Sequence, residues 1–202
     1  MNQLLRLSGL IDAANIRIGK SVIWLVLIVS LISATNAVVR YLFNASSNAF
    51  LEVQWYLFAA IFLLSAGYTL LQNEHVRIDV VSSRFSPRVH AWIDIFGTLL
   101  FLLPMAITIM YLSWPMFMNA FNSGEISSSP GGLIRWPARL LIPVGFFFLV
   151  MQGFSELIKR VAFLQGRIDN PLNKHKEMHL EEELAEAIKA QATGIARAEE
   201  AK

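Results

Sequence analysis

The sequence predicts an all-α integral membrane protein. Four transmembrane helices are expected, with an amphipathic helix in the membrane interface ahead of them and a soluble helical tail behind. Three observations carry this. Of 202 residues, 55% are hydrophobic and 16% charged, with a mean hydropathy of +0.50, whereas a soluble domain carries roughly 25% charged residues. Four long windows hold no charge at all. The Lys and Arg between those windows rise and fall from one loop to the next. A soluble domain of this size could not cover four helices that lack a polar face.

Residues 1–20 open the chain. Leu4, Leu7, Ile11, Ala14 and Ile18 recur at helical spacing, while Arg6, Asp12, Asn15 and Arg17 fall mostly elsewhere. That pattern predicts a helix lying in the membrane interface, with Gly19 and Lys20 as a hinge into the first span. The alternative is the start of one longer first helix. A signal peptide cleaved near Ala34–Ala37 is a rival reading. Its basic lead would be long, and the apolar run continues through Val38 and Val39, so the segment is read as retained.

The spans come next. Nineteen uncharged residues lie between Lys20 and Arg40, 21 between Glu52 and Glu74, 30 between Asp94 and Glu125, and 16 between Arg139 and Glu156. Crossing a hydrocarbon layer of about 30 Å takes about 20 helical residues. Spans are therefore expected near 21–40, 50–72, 91–119 and 136–159, within a membrane domain of residues 21–166. The fourth is long enough if Trp136, Arg139 and Lys159 sit in the headgroup region with the cations reaching outward. Pro104 and Pro115 interrupt the third span and Pro143 the fourth. In lipid the freed carbonyls need partners from neighbouring helices or hydroxyls such as Thr108 and Ser113.

After Gly166, Asp169-Asn170-Pro171 breaks the chain. Residues 167–202 then read as a cytoplasmic helical tail with Leu180, Leu184, Ile188 and Ile195 on one face. Such a tail is either solvated or docked on a partner. Residues 1–168 carry 12 Lys/Arg and 7 Asp/Glu, while residues 169–202 carry 5 and 8, so the membrane part is the basic part. Arg6, Arg17, Lys20, Arg77, Arg84 and Arg88 fall on one side of the spans with the tail, and only Arg40, Arg135 and Arg139 on the other. The excess of basic residues marks the cytoplasmic side. Both termini are thus expected in the cytoplasm, as for a bacterial inner-membrane protein.

Few catalytic chemistries fit this composition. There is no cysteine, so thiol nucleophiles, disulfides and cysteine metal sites are excluded. No basic run with interleaved aromatics suggests nucleic acid. His175 and His179 stand four apart without a third ligand of defined spacing, and no catalytic, cofactor or metal residue is expected. His75 and His90 fall at the edge of the spans, whereas a bis-histidine haem wants imidazoles on facing helices. The span centres hold no ionisable residue, and Asn36 and Gln152 are the nearest strong polar groups. A single amide in a span usually makes a helix–helix hydrogen bond.

Several marks occur in order along the chain. Arg40-Tyr41-x-Phe43-Asn44 follows the first span, Glu52 precedes an aromatic second span, and His75-Val76-Arg77-x-Asp79 follows that. A later element, SSSPGGLIRWPARLLIPVGF at 127–146, contains Pro143-Val144-Gly145. Together, over residues 15–166, they resemble the small membrane subunit of tripartite ATP-independent periplasmic (TRAP) transporters, the DctQ type. The resemblance implies a non-catalytic scaffold beside a separate large TRAP permease subunit, which works as a sodium-driven elevator for an organic acid. It also implies a periplasmic substrate-binding protein that delivers the substrate. Arg40, Asn44, Glu52, His75, Arg77, Asp79 and Pro143 become candidates for subunit contacts or structural roles. Arg40 and Glu52 are placed to clamp the first outer turn, or Arg40 to meet a lipid headgroup. Glu125 and Arg135 become candidates for touching the delivery protein. Trp55, Tyr56 and Trp136 fit an interfacial aromatic belt. The alternative is a membrane anchor subunit of a respiratory or other redox complex.

Overall fold

The computed structural model describes residues 2–44, 47–72 and 86–169, with Leu184 and Ile188 as isolated points of the tail, both helical and exposed. Helix α1 spans Asn2–Phe43, α2 Asn48–Gln72, α3 Pro87–Gly97, α4 Leu103–Ser123 and α5 Trp136–Leu164, and a π-helical stretch, Thr98–Leu102, joins α3 to α4. Among the described residues, counting α3 through α4 as one rod, four helices are long and apolar enough to cross a membrane. Each expected span lies inside one of them.

Local chemistry sets the boundaries. Pro87 opens α3, where a fixed φ and a missing N–H cost nothing. A normal helical turn would drive the Pro104 ring into the carbonyl of residue 100. The chain widens there instead, with the Leu103 N–H bonded to the Thr98 carbonyl five residues back. Gly124 closes α4 at φ 61°, and its N–H returns to the last turn. Asn44 ends α1 at φ 48°, a conformation that Asn tolerates better than most residues.

The bundle runs up and down around α5. Ser8 meets Ser155 and Asn15 meets Gln152, so α1 is antiparallel to α5. Asp94 meets Arg160 and the Met116 carbonyl meets Arg139, so α3 and α4 are antiparallel to it as well. Asn48 meets Pro130, and Leu63 lies against Gly145, so α2 runs parallel to it. The most apolar stretch of α5 is 39% buried, against 11% for each of the other three spans. Its neighbours are also its solvent shield. Elsewhere large apolar groups face outward, with Trp24 68% and Phe62 76% exposed, which suits lipid rather than water.

One expectation changes. Helix α1 runs unbroken through Gly19 and Lys20, where a hinge was expected. Gly19 serves packing: a Cβ there would lie 2.5 Å from the Tyr68 ring, so the bare backbone lets α2 close in. Ser8, Ile11, Asn15, Val22 and Val29 are buried in one stripe, while Leu4 and Leu7 stay about half exposed. Part of the polar side of this segment is therefore sealed on α5 rather than turned to water.

Candidate functional site

Polar side chains gather at the end of the bundle that carries the N-terminus. Ser8, Asp12 and Asn15 lie one turn apart on α1 and face Gln152, Ser155, Glu156 and Lys159 on α5. Gln152 is fully buried and its amide is completely used. Nε2 donates to Oδ1 of Asp12 at 2.9 Å and to Oε1 of Glu156 at 3.3 Å. Oε1 accepts from Nδ2 of Asn15 at 2.8 Å. Ser155 donates to Oδ1 of Asp12 at 2.7 Å, and an ionised carboxylate only accepts. The Ser8 hydroxyl therefore donates to Ser155 Oγ, 2.7 Å away.

Charges thread the same cluster across three helices. Lys159 Nζ binds Asp12 Oδ2 at 3.1 Å and also Glu156. Arg160 Nη2 reaches Asp94 of α3 at 3.3 Å and Glu156 at 3.7 Å. The order is Asp12, Lys159, Glu156, Arg160, Asp94, with signs alternating. Lys159 was expected to reach outward to the headgroups. It folds inward instead and is only 14% exposed, because two carboxylates outbid water for its ammonium. Oδ1 of Asn15 fills the space that Gly67 leaves, where a Cβ would collide with it. The arrangement locks α1, α3 and α5 together. Among the described residues, no group of three or more His, Cys, Asp or Glu could hold a metal ion.

The opposite end is organised by Glu52. Its carboxylate accepts from the Leu133 N–H at 2.7 Å and from the Ser127 hydroxyl. Asn48 donates to the Pro130 carbonyl at 3.0 Å and Tyr56 to the Ile134 carbonyl at 3.3 Å. One helical face thus pins the 124–135 loop along its length. Within that loop Gly132 N–H bonds to the Ser129 carbonyl at 2.9 Å, with Gly131 at φ 71°. Pro then Gly at the two central positions is the pattern of a type II turn. Glu125 and Arg139 pair at 2.7 and 2.8 Å through both guanidinium ends, and Arg135 adds a 3.3 Å contact.

These contacts place the residues expected from sequence. Glu52 clamps the later loop rather than the first outer turn. Arg40, in the last turn of α1, lines a cleft with Asn44 and Gln54. Pro143 is buried in α5, two residues before the glycine that meets α2. Glu125 and Arg135 are brought together, a third and two-fifths exposed respectively. Tyr56 holds the loop, and Trp136 packs edge-on to Phe121 with centroids 5.6 Å apart. His75, Arg77 and Asp79 lie outside the described residues, as do His175 and His179.

Sequence reasoning gave Asp12 only as a polar position and Asp94 and Glu156 only as borders of charge-free windows, and it passed over Arg160. The signal was there: Ser8, Asp12 and Asn15 share a helical face, as do Gln152, Ser155, Glu156 and Lys159. Replacing Glu52 with Gln tests the loop anchor. A Gln turns an amide N–H toward one of the two donors. Hydrogen bonds to an ionised acceptor are stronger than those to a neutral one, so Leu133 amide exchange is expected to speed up at least about 10-fold. Unchanged protection would mean that the turn holds itself.

Comparison with known proteins turns on the four-helix bundle. The family model described as "Tripartite ATP-independent periplasmic transporters, DctQ component" matches residues 29–163, from the middle of α1 to the end of α5. The chain belongs to the DctQ family. A Haemophilus influenzae protein named, by inference, as a TRAP transporter small permease protein is 31% identical over 107 residues. That alignment covers 52% of this chain and 66% of the relative, just under two thirds. No solved structure matches. The family match takes in Glu52, the pinned loop and the charged end of α5, while Ser8, Asp12 and Asn15 precede it. This DctQ chain is therefore a TRAP transporter component and a multi-pass membrane protein.

Proposed function

We infer that this DctQ chain is a non-catalytic scaffold for a separate large permease subunit. That subunit would move as an elevator in sodium-driven uptake of an organic acid delivered by a periplasmic binding protein. The observation that carries the reading is the engagement of the buried charges. Glu52 ties α2 to the 124–135 loop and Arg160 ties α5 to Asp94 of α3, while Glu156 holds Lys159 and Arg160 in place within α5. A part so cross-tied suits the immobile side of a moving machine.

The distribution of Lys and Arg supports an inner-membrane orientation with both termini in the cytoplasm. A helix of 42 residues is about 63 Å long, roughly twice the hydrocarbon thickness. In this orientation residues 1–20 occupy the cytoplasmic interface as the opening of one long helix. The loop bearing His75, Arg77 and Asp79 then faces the cytoplasm and is available to the large subunit. Glu125 and Arg135 face the periplasm, toward the delivery protein.

A mild-detergent pull-down of the chain, tagged at its C-terminus, from its native membranes tests this. One large polytopic partner in comparable amount is expected, and Arg77→Ala or Asp79→Ala is expected to weaken its recovery at least severalfold. Recovery of the chain alone, or with a coloured redox complex, would overturn the scaffold reading.

A further inference from the structure

At the end of the bundle opposite the N-terminus, α1 and α2 leave a cleft of about 580 Å³ between them. Its lining includes Ser33, Asn36, Arg40 and Asn44 of the α1 side and Gln54 of α2. None of its lining residues is acidic. The donor groups are one guanidinium, three carboxamides and two hydroxyls, Ser33 and Tyr41, a set that matches an oxyanion.

Gln54 makes this more than a polar crevice. It is 91% buried, at 9% exposure, and its Oε1 accepts from Ser33 at 3.2 Å. Its Nε2 is buried with no partner. Whichever way the carboxamide is turned, Ser33 can satisfy only one end of it. A buried unpaired amide is costly to keep, and an apolar residue of the same size would avoid the cost. Glu52, two residues earlier, spends its carboxylate on Ser127 and Leu133. That carboxylate is thereby held by the loop.

Depth narrows the ligand. Arg40 ends the apolar run of α1, and Trp55 and Tyr56 lie one and two residues past Gln54 on α2. Cations and aromatics at a helix end mark the headgroup level. Leu51 and Tyr41 also line the cleft, giving apolar surface beside the donors.

We propose that this cleft binds the phosphate of an anionic molecule, with Arg40 supplying charge and Gln54 a buried donor. A phospholipid headgroup and free phosphate share this chemistry. The test follows thermal unfolding of the full-length chain in mild detergent. The probes are dioleoylphosphatidylglycerol, inorganic phosphate and dioleoylglycerol, the last having the tails without the phosphate.

Phosphatidylglycerol is expected to raise the midpoint by roughly 5 °C at saturating lipid. Arg40→Gln and Gln54→Leu should each remove most of that shift, while Arg17→Gln at the other end of α1 should keep it. Arg40 is exposed, so its variant is expected to fold. An equal shift with inorganic phosphate would support the site with a soluble anion as its ligand. An equal shift with dioleoylglycerol, no shift with any probe, or a full shift in either cleft variant would overturn it.

Discussion

Replacing Lys159 with Met is expected to destabilise the bundle by about 3–5 kcal/mol, the usual cost of breaking a buried ion pair from one side. Met keeps the length and the apolar stem, so the loss isolates the ammonium. Asp12 is affected most. Its Oδ1 keeps Gln152 and Ser155, but Oδ2 loses the 3.1 Å contact to Nζ. Glu156 retains Gln152 and the longer contact to Arg160. Because Asp12 is 21% exposed, some water reaches it, and the lower end of the range is expected. Adding Asp12→Asn should recover more than half of the loss, since the neutral amide no longer needs a cation. Denaturation midpoints of the two singles and the double form a cycle that measures the coupling. If the double variant is merely the sum of the singles, the Asp12–Lys159 contact carries no stability.

Much of this architecture is legible in the sequence because lipid imposes a coarse rule. Charge-free windows must be largely helical, and the spans expected from the windows that Lys20, Glu52, Asp94 and Arg139 open fall within the four spanning rods. What the windows cannot give is the partner of each bracket. Glu52 and Asp94 were legible as borders. Their roles depend on Leu133 and Arg160, which lie 81 and 66 positions away, and nothing in local spacing chooses between a headgroup, water and another helix. The same ambiguity misdirected Lys159, since an outward and an inward rotamer look alike in sequence. The hinge expected at Gly19 failed for a related reason. Glycine weakens a helix by about 1 kcal/mol relative to Ala, but it also permits close contact, and Tyr68 decides between the two only in three dimensions. The DctQ marks Arg40, Asn44 and Glu52 were readable as a set, whereas the cleft and the pinned loop that separate their roles were not.

Glycine contacts give the second large effect, at the crossing of α2 and α5. Gly145→Ala is expected to weaken the bundle by about 1–3 kcal/mol, the range for overfilling a packed site. A Cβ at Gly145 would lie 2.7 Å from Cβ and 2.8 Å from the carbonyl oxygen of Leu63. Two of the three nearest atoms are backbone, so no rotamer change relieves the clash. The helices must part along their length. Gly97→Ala is the internal contrast: it meets nothing within 4 Å and should be neutral or slightly stabilising through helix propensity. Trimming Leu63 to Ala should not rescue Gly145→Ala, because the carbonyl and the Cβ remain. Parting α2 from α5 would also loosen the face bearing Asn48, Glu52 and Tyr56, which pins the 124–135 loop. Gly145→Ala is therefore expected to speed exchange at the Leu133 amide, some ten residues away along the chain. A lowered midpoint with Leu133 still protected would show that the crossing and the loop anchor are independent. A midpoint unchanged by Gly145→Ala would mean that α2 is not seated on α5 as closely as its backbone contacts require.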